Sequence, residues 1–237
     1  MEYKYAENRD YSFLASGNVL KHFSGMPCFP VRLGIELFER AYRRIGREKI
    51  TVYDPCCGSG YSLAVLGMTE QDKIRALYAS DVDGDCLEAA ECNLSMTSPE
   101  GLRASAEKLL RGGTLTGARR DQLTESADRI LPYLFAPPDY TVFRHDILLS
   151  APEIGEPVDY VFADVPYGML TDWKSDGGVT DPLRAFAENT ADVLSDGGVL
   201  VVCGMKDLRI GSEKLKRIGR FSVGKRLALM FEKAGPS

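Results

Sequence analysis

The chain predicts an α/β fold: a mostly parallel seven-stranded sheet with an antiparallel C-terminal strand and an inserted helical hairpin. Three features predict it. Short apolar, β-branched runs alternate with stretches of helical spacing over most of the 237 residues. A glycine-bearing turn, Asp54-Pro55-Cys56-Cys57-Gly58-Ser59-Gly60, joins the first of those runs to a helix. Near the C-terminus the alternation gives way to two strand-like runs around Gly224. Strand–helix alternation implies parallel neighbours with helices on both faces, because each parallel connection has to cross the sheet.

Residues 1–49 are read as an N-terminal extension and a helix. The extension is irregular and aromatic. From Pro30 to about Arg47 the apolar residues Val31, Ile35, Leu37, Phe38, Ala41 and Tyr42 recur at helical spacing, with Arg43, Arg44 and Arg47 in the last turns, where cations suit the helix dipole. Pro30 fits the opening turn. Strands follow at Ile50–Asp54, 75–80, 140–145, 158–163 and 199–203. The helices between them run to about Met68, over Gly84–Ser95 and over 182–194, the last leading through Asp196-Gly197-Gly198. Residues 215–221 and 227–232 read as a terminal antiparallel pair.

Residues 96–139 interrupt this order and are read as the helical insertion. Ser98-Pro99-Glu100 is a helix start, with serine as N-cap and proline in the first turn. Leu102, Ala106, Leu109 and Leu110 continue the helix; Gly112-Gly113 and Gly117 break it. A second helix is expected over 118–135, before Pro137-Pro138. With no repeat or low-complexity tract, 1–237 reads as a single domain.

Composition narrows the class. Apolar residues make up 44% and charged residues 27%, as in soluble globular proteins. A chain of this size buries roughly 70–75% of its unfolded surface, enough for a core with a ligand cleft. No export signal and no run of ~20 apolar residues is visible, which points to the cytoplasm and away from membranes. The six cysteines lack CxxC spacing and read as reduced thiols. His22 and His145 are isolated, so no metal site is expected. The net charge of −5 argues against a nucleic-acid partner, but residues 206–226 alone carry +6. That segment is either a set of solvated faces or an RNA-facing patch.

The turn after the first strand carries the cofactor signal. Small residues there permit a tight turn and close approach of a ligand to the backbone, and the helix start offers free N–H groups. Asp54, Cys56, Gly58 and Gly60 are its candidate cofactor-binding residues, with Cys56 and Cys57 as small packing residues. The second strand ends in Asp81-Val82-Asp83. In a Rossmann-like sheet an acid at that place binds ribose hydroxyls, so Asp81 is the candidate and Asp83 the cap of the next helix. Asp146, after the third strand, is placed to accept from the exocyclic amine of adenine. Leu63 stands where the GxGxxG spacing of a nicotinamide dehydrogenase would need glycine, and there is no GxxxxGK[ST] loop.

The fourth strand ends in Asp164-Val165-Pro166-Tyr167-Gly168, at the position where such folds place their chemistry. Together with the Asp54–Gly60 turn, this motif resembles that of amino-methyltransferases ending in [DNS]PP[YF], in particular RNA guanine-N2 methyltransferases. Val165 and Tyr61 depart from that pattern, which has proline and threonine there. A closer resemblance shares both departures. Over Phe29-Pro30-Val31-Arg32-Leu33, Asp54 through Tyr61, Val65-Leu66-Gly67, Ala79 through Asp83, Ser98 through Leu102 and Asp164 through Gly168, the chain is similar to the avilamycin-resistance family of 23S rRNA methyltransferases.

This resemblance implies a Rossmann-like class I methyltransferase that uses S-adenosylmethionine. Its acceptor would be a guanine base of large-subunit rRNA, free or in a ribosomal subunit, and orthosomycin resistance would be a role. Asp164, Pro166 and Tyr167 are then the catalytic candidates. Asp164 and the Val165 carbonyl would accept hydrogens of the base, and Tyr167 would stack on it, at ~1–3 kcal/mol. Gly168 and Arg32 join Val165 as substrate-binding candidates, Arg32 either through the cofactor carboxylate or a phosphate or, with no ligand role, in a plain helix-terminus ion pair. Alignment of donor and acceptor alone is worth ~7–11 kcal/mol in such transfers. Trp173 would line the cleft or close the core. A monomer is favoured. Two other readings stay open: an amino-methyltransferase acting on DNA, a protein amide or a small molecule, and a Rossmann-type module that binds a cofactor without methylating.

Overall fold

The computed structural model describes residues 1–14, 19–21, 28–112, 115–165 and 176–235. Helix α1 (Val31–Ile45) ends at Gly46, whose φ of +70° only glycine adopts readily, with its N–H on the Tyr42 carbonyl. There follow β1 (Ile50–Asp54), α2 (Tyr61–Thr69), β2 (Ile74–Asp81), α3 (Gly84–Ser95), α4 (Pro99–Arg111), α5 (Gly117–Ile130), β3 (Asp139–Arg144), β4 (Val158–Asp164), α6 (Pro182–Val193), β5 (Leu194–Met205), β6 (Leu215–Val223) and β7 (Arg226–Lys233).

The seven strands form one sheet in the order β3-β2-β1-β4-β5-β7-β6, parallel from β3 to β5, with β7 antiparallel to both its neighbours. This is the predicted mixed sheet. Every residue of β1 is buried, because it lies mid-sheet with both faces covered. Val52 faces a core made with α1, α2, α3 and the inserted helices; Tyr53 faces a second core made with α6.

The insertion starts as expected: the Ser98 hydroxyl accepts the Gly101 N–H at 3.0 Å. A Cβ on Gly101 would lie 1.9 Å from the Ser95 carbonyl oxygen, so the tight α3–α4 corner requires glycine. The second helix is shorter than predicted. It stops at Ile130 and passes into a single 3-10 turn, Leu131–Tyr133, because Pro132 has no N–H for the helical ladder. Leu102, Leu123, Ala127 and Ile130 pack into the main core, so one side of the insertion is structural. Strand β5 is longer than predicted, since Asp196-Gly197-Gly198 forms an irregularity within it, Gly197 at φ +73°.

The N-terminal extension is held by one acid. The Glu36 carboxylate, on the inner face of α1, accepts the N–H groups of Lys4, Tyr5 and Ala6 at 2.8–3.0 Å and the Arg40 guanidinium at 2.7 Å. Burial pushes its carboxyl up, but the three N–H groups and Arg40 outweigh burial and hold it below the ordinary glutamate value. The Tyr61 hydroxyl donates to the Leu14 carbonyl at 2.9 Å, which gives that tyrosine a tethering role. The six cysteines form no disulfide. Among the described residues no helix is long and apolar enough to cross a membrane, and no cluster of His, Cys, Asp and Glu is arranged for a metal.

Candidate active site

Parallel pairing sets the carboxyl ends of β2, β1 and β4 side by side, and each strand ends in aspartate: Asp81, Asp54 and Asp164. Asp54 is buried, its Oδ1 accepting the Cys56 N–H at 3.0 Å. Burial pushes its carboxyl up to about 8; the Cys56 N–H works against that, and the charges of Asp81 and Asp164 reinforce it. The three acids therefore share one electrostatic environment, as their places in the sequence suggested.

The loop after β1 is pinned to the end of β2. The Gly58 N–H donates to Asp81 Oδ2 at 2.9 Å, the Asp83 N–H to Asp81 Oδ1 at 3.0 Å, and the Cys57 N–H to the Ser80 carbonyl at 2.9 Å. Its two glycines have different causes. Gly58 sits at φ +52° with open space where a side chain would project. Gly60, at φ +68°, opens α2, and a Cβ there would press on Ala90 of α3 at 3.1 Å. The space at Gly58 is thus open, and at Gly60 it is filled by helix–helix packing. Asp83 caps α3 as expected, accepting the Asp85 N–H at 3.1 Å.

Asp146 is buried beside Cys56, whose thiol its charge helps to hold protonated. Its carboxylate accepts the Leu148 N–H at 2.9 Å, within the loop after β3, and the Asp176 N–H at 2.7 Å, which ties that loop to the chain ahead of α6. Burial, before the nearby carboxylates, raises the Cys56 and Cys57 thiols well above their ordinary value. That suits packing and leaves no thiolate nucleophile.

Asp164 has a partner that sequence reading missed. Arg226 Nη1 donates to both its oxygens, at 2.7 and 2.8 Å. Burial raises the Asp164 carboxyl, and Arg226 opposes burial without cancelling it. The signal was present only as topology: an antiparallel β7 must start at the end of the sheet where β4 stops. Arg226 therefore turns inward, although the sequence grouped it with the basic segment. Val165 is buried, and its N–H donates to the Cys203 carbonyl at 3.0 Å. Pro166, Tyr167, Gly168 and Trp173 lie outside the described residues, as does His22.

Arg32 is engaged within the protein. Its guanidinium donates to the Ala6 carbonyl at 3.2 and 3.3 Å and to the Asn8 side chain at 2.9 Å, and stacks 4.2 Å over the Tyr3 ring. These groups belong to the extension, which folds back along α1 and reaches the guanidinium first.

Acceptors line this end of the sheet: Asp54, Asp81, Asp146 and Asp164, beside a Gly58 backbone open to approach. S-Adenosylmethionine presents the complement, a sulfonium, an ammonium, two ribose hydroxyls and an adenine amine, so the residues present fit it. Fold and site define a class I S-adenosylmethionine-dependent methyltransferase. The model of the family described as rRNA methyltransferase AviRa matches residues 1–226. The chain belongs to the AviRa family of rRNA methyltransferases.

A 23S rRNA (guanine(2535)-N(1))-methyltransferase of Streptomyces viridochromogenes is 36% identical, over 98% of this chain and 96% of that protein. The solved structure of the rRNA methyltransferase AviRa from Streptomyces viridochromogenes superposes with a TM-score of 0.83 at 34% identity, covering 98% of this chain and 96% of that one. A class I S-adenosylmethionine-dependent methyltransferase structure from Listeria monocytogenes, at 16% identity, shares the fold alone, with a TM-score of 0.52 over 90% of this chain and 64% of that one.

Proposed function

We propose that the chain transfers the methyl group of S-adenosylmethionine to a guanine base of 23S-type rRNA. It acts as a monomeric, single-domain enzyme in the cytoplasm and protects the ribosome against orthosomycins such as avilamycin. The observation that carries the chemistry is the meeting of Asp54, Asp81 and Asp164 at three adjacent strand ends. The family supports the acceptor, and the name of the Streptomyces relative supports ring nitrogen N1.

Asp81 and Asp146 would hold the ribose and adenine, Gly58 and Cys56 would form the wall beside them, and Asp54 would offer its carboxylate to a positive group of the cofactor. Bound there, S-adenosylmethionine supplies an electrophilic methyl group. Guanine N1 carries a proton at neutral pH and has no free pair to offer the methyl until that proton leaves. Asp164 accepts it, so the pair on N1 is released next to the donor. The Val165 carbonyl would accept from the base; from the sequence motif alone, Pro166 is assigned to the turn and Tyr167 and Gly168 to contact with the extruded ring.

Lys206, Lys216, Arg217, Arg220 and Lys225 are exposed and make no ion pair among the described residues. They follow β6, the sheet edge, towards the end where β5 and β4 stop, and form a track for phosphates. Lys214 and Arg226 are excluded from the track, since Lys214 pairs with Asp192 and Glu188 and Arg226 with Asp164. Labelled methyl transfer to 23S rRNA, followed by mapping of methylated positions with and without the protein, tests the reading. One new methylguanine, lost in Asp164→Ala, is expected; label on no RNA refutes it.

A further inference from the structure

Asp164 and Arg226 are 62 residues apart in sequence and meet because β4 and β7 present the same end of the sheet. Arg226 is the first residue of β7, paired with Met205 of β5 and Val223 of β6, so its backbone is ordered on both sides. Its guanidinium lies 5.2 Å from the Phe29 ring, which packs edge-on against Phe162 of β4 at 5.0 Å. The arm is therefore held by the strand ladder, by an aromatic face and by the carboxylate. Both partners are largely shielded, with side chains 17% and 24% exposed, where a single hydrogen-bonded charge pair is screened little.

We propose that Arg226 is a positioning residue for methyl transfer: it fixes the orientation of the Asp164 carboxylate and keeps it an anion able to take the guanine proton. This rests on the guanine reading of the site. Among the described residues, the groups facing Asp164 define what Arg226 opposes. Asp54 of β1 is an acid in the same environment, Cys203 of β5 is a buried thiol held protonated, and Arg226 of β7 is the cation. Without the arginine, burial favours the protonated carboxyl, which has no room for another proton. Phe29 belongs to the same device, since it places the guanidinium; this accounts for an aromatic residue two positions before α1.

The test compares wild type, Arg226→Gln and Arg226→Lys by the rate of methyl transfer to 23S rRNA between pH 5.5 and 9. In the glutamine variant the acid limb of the kcat profile moves up by a unit or more, about tenfold in rate at pH 6, with the KM for S-adenosylmethionine nearly unchanged. The lysine variant restores the position of the limb and part of the rate, because a point charge keeps the anion but grips it less well. A glutamine profile that superposes on wild type overturns the proposal. The Asp164 carboxyl is titrated separately by carbon-detected NMR in RNA-free protein, assigned with Asp164→Asn. Its titration rises in Arg226→Gln and is kept near the wild-type value in Arg226→Lys; no change in the glutamine variant overturns the proposal even where activity falls. If wild type methylates no guanine, the functional reading fails, while the NMR arm still decides whether Arg226 holds Asp164 as an anion.

Discussion

The backbone N–H of Gly58 donates to the carboxylate of Asp81, 23 residues further along the chain, at 2.9 Å. One acid thus ties the glycine loop of β1 to the end of β2, and it is also the acid proposed to hold the ribose. In Asp81→Asn one carboxylate oxygen becomes an NH2 group, which cannot accept the Gly58 or Asp83 N–H. The variant is expected to bind S-adenosylmethionine at least tenfold more weakly by calorimetry, with a circular-dichroism spectrum like wild type. Unchanged affinity would remove Asp81 from the site.

Asp54 gives the protein a pH dependence of definite sign. Its folded carboxyl titrates at about 8, against 3.8 when unperturbed. A group raised on folding stabilises fully below its unfolded value, and that stability is lost as pH rises through the folded value. The ligand-free chain should therefore lose stability between about pH 4 and pH 8, and Asp54→Asn should flatten this decline. Melting curves between pH 5 and 9 check it, each kcal/mol moving Tm by about 2–4 °C in a chain of this size.

The same acid links cofactor to protons. A positively charged ligand at Asp54 favours the carboxylate, so binding of S-adenosylmethionine at pH 7 should release protons. Calorimetry in two buffers of different ionisation enthalpy should give different apparent heats for wild type, and nearly equal heats for Asp54→Asn.

Glu36 acts in the opposite sense. Its carboxyl is held low, so its contribution is present above the ordinary glutamate range and is lost as pH falls through the folded value. Glu36→Gln leaves Arg40 and part of the 4–6 backbone without an anion. It is expected to cost on the order of 2–3 kcal/mol at pH 7, and less as pH falls through the folded value, by denaturant titration.

For the proposed RNA track, Lys216→Gln, Arg217→Gln and Arg220→Gln together should weaken rRNA binding and reduce the salt slope by about 2–3. Lys214→Gln should leave the slope unchanged, because Lys214 is paired with Asp192 and Glu188. Equal slopes in the triple variant and wild type would remove the track.

The sequence by itself determined the alternation of strands and helices, the glycine turn, the Ser98 and Asp83 caps and the three strand-end acids. Each is a local matter: hydrophobic period, backbone conformation, or a side chain within a few residues of the N–H it accepts. Only the tertiary structure decided which cations are already partnered. Arg226 and Lys214 look like their basic neighbours in sequence and Arg32 stands alone, yet each is claimed by a partner that the fold delivers: Asp164, Asp192 and the Ala6 carbonyl. The two glycines divided in the same way, Gly58 facing open space and Gly60 facing Ala90. Such contacts depend on strand order and direction, which no local pattern of residues encodes.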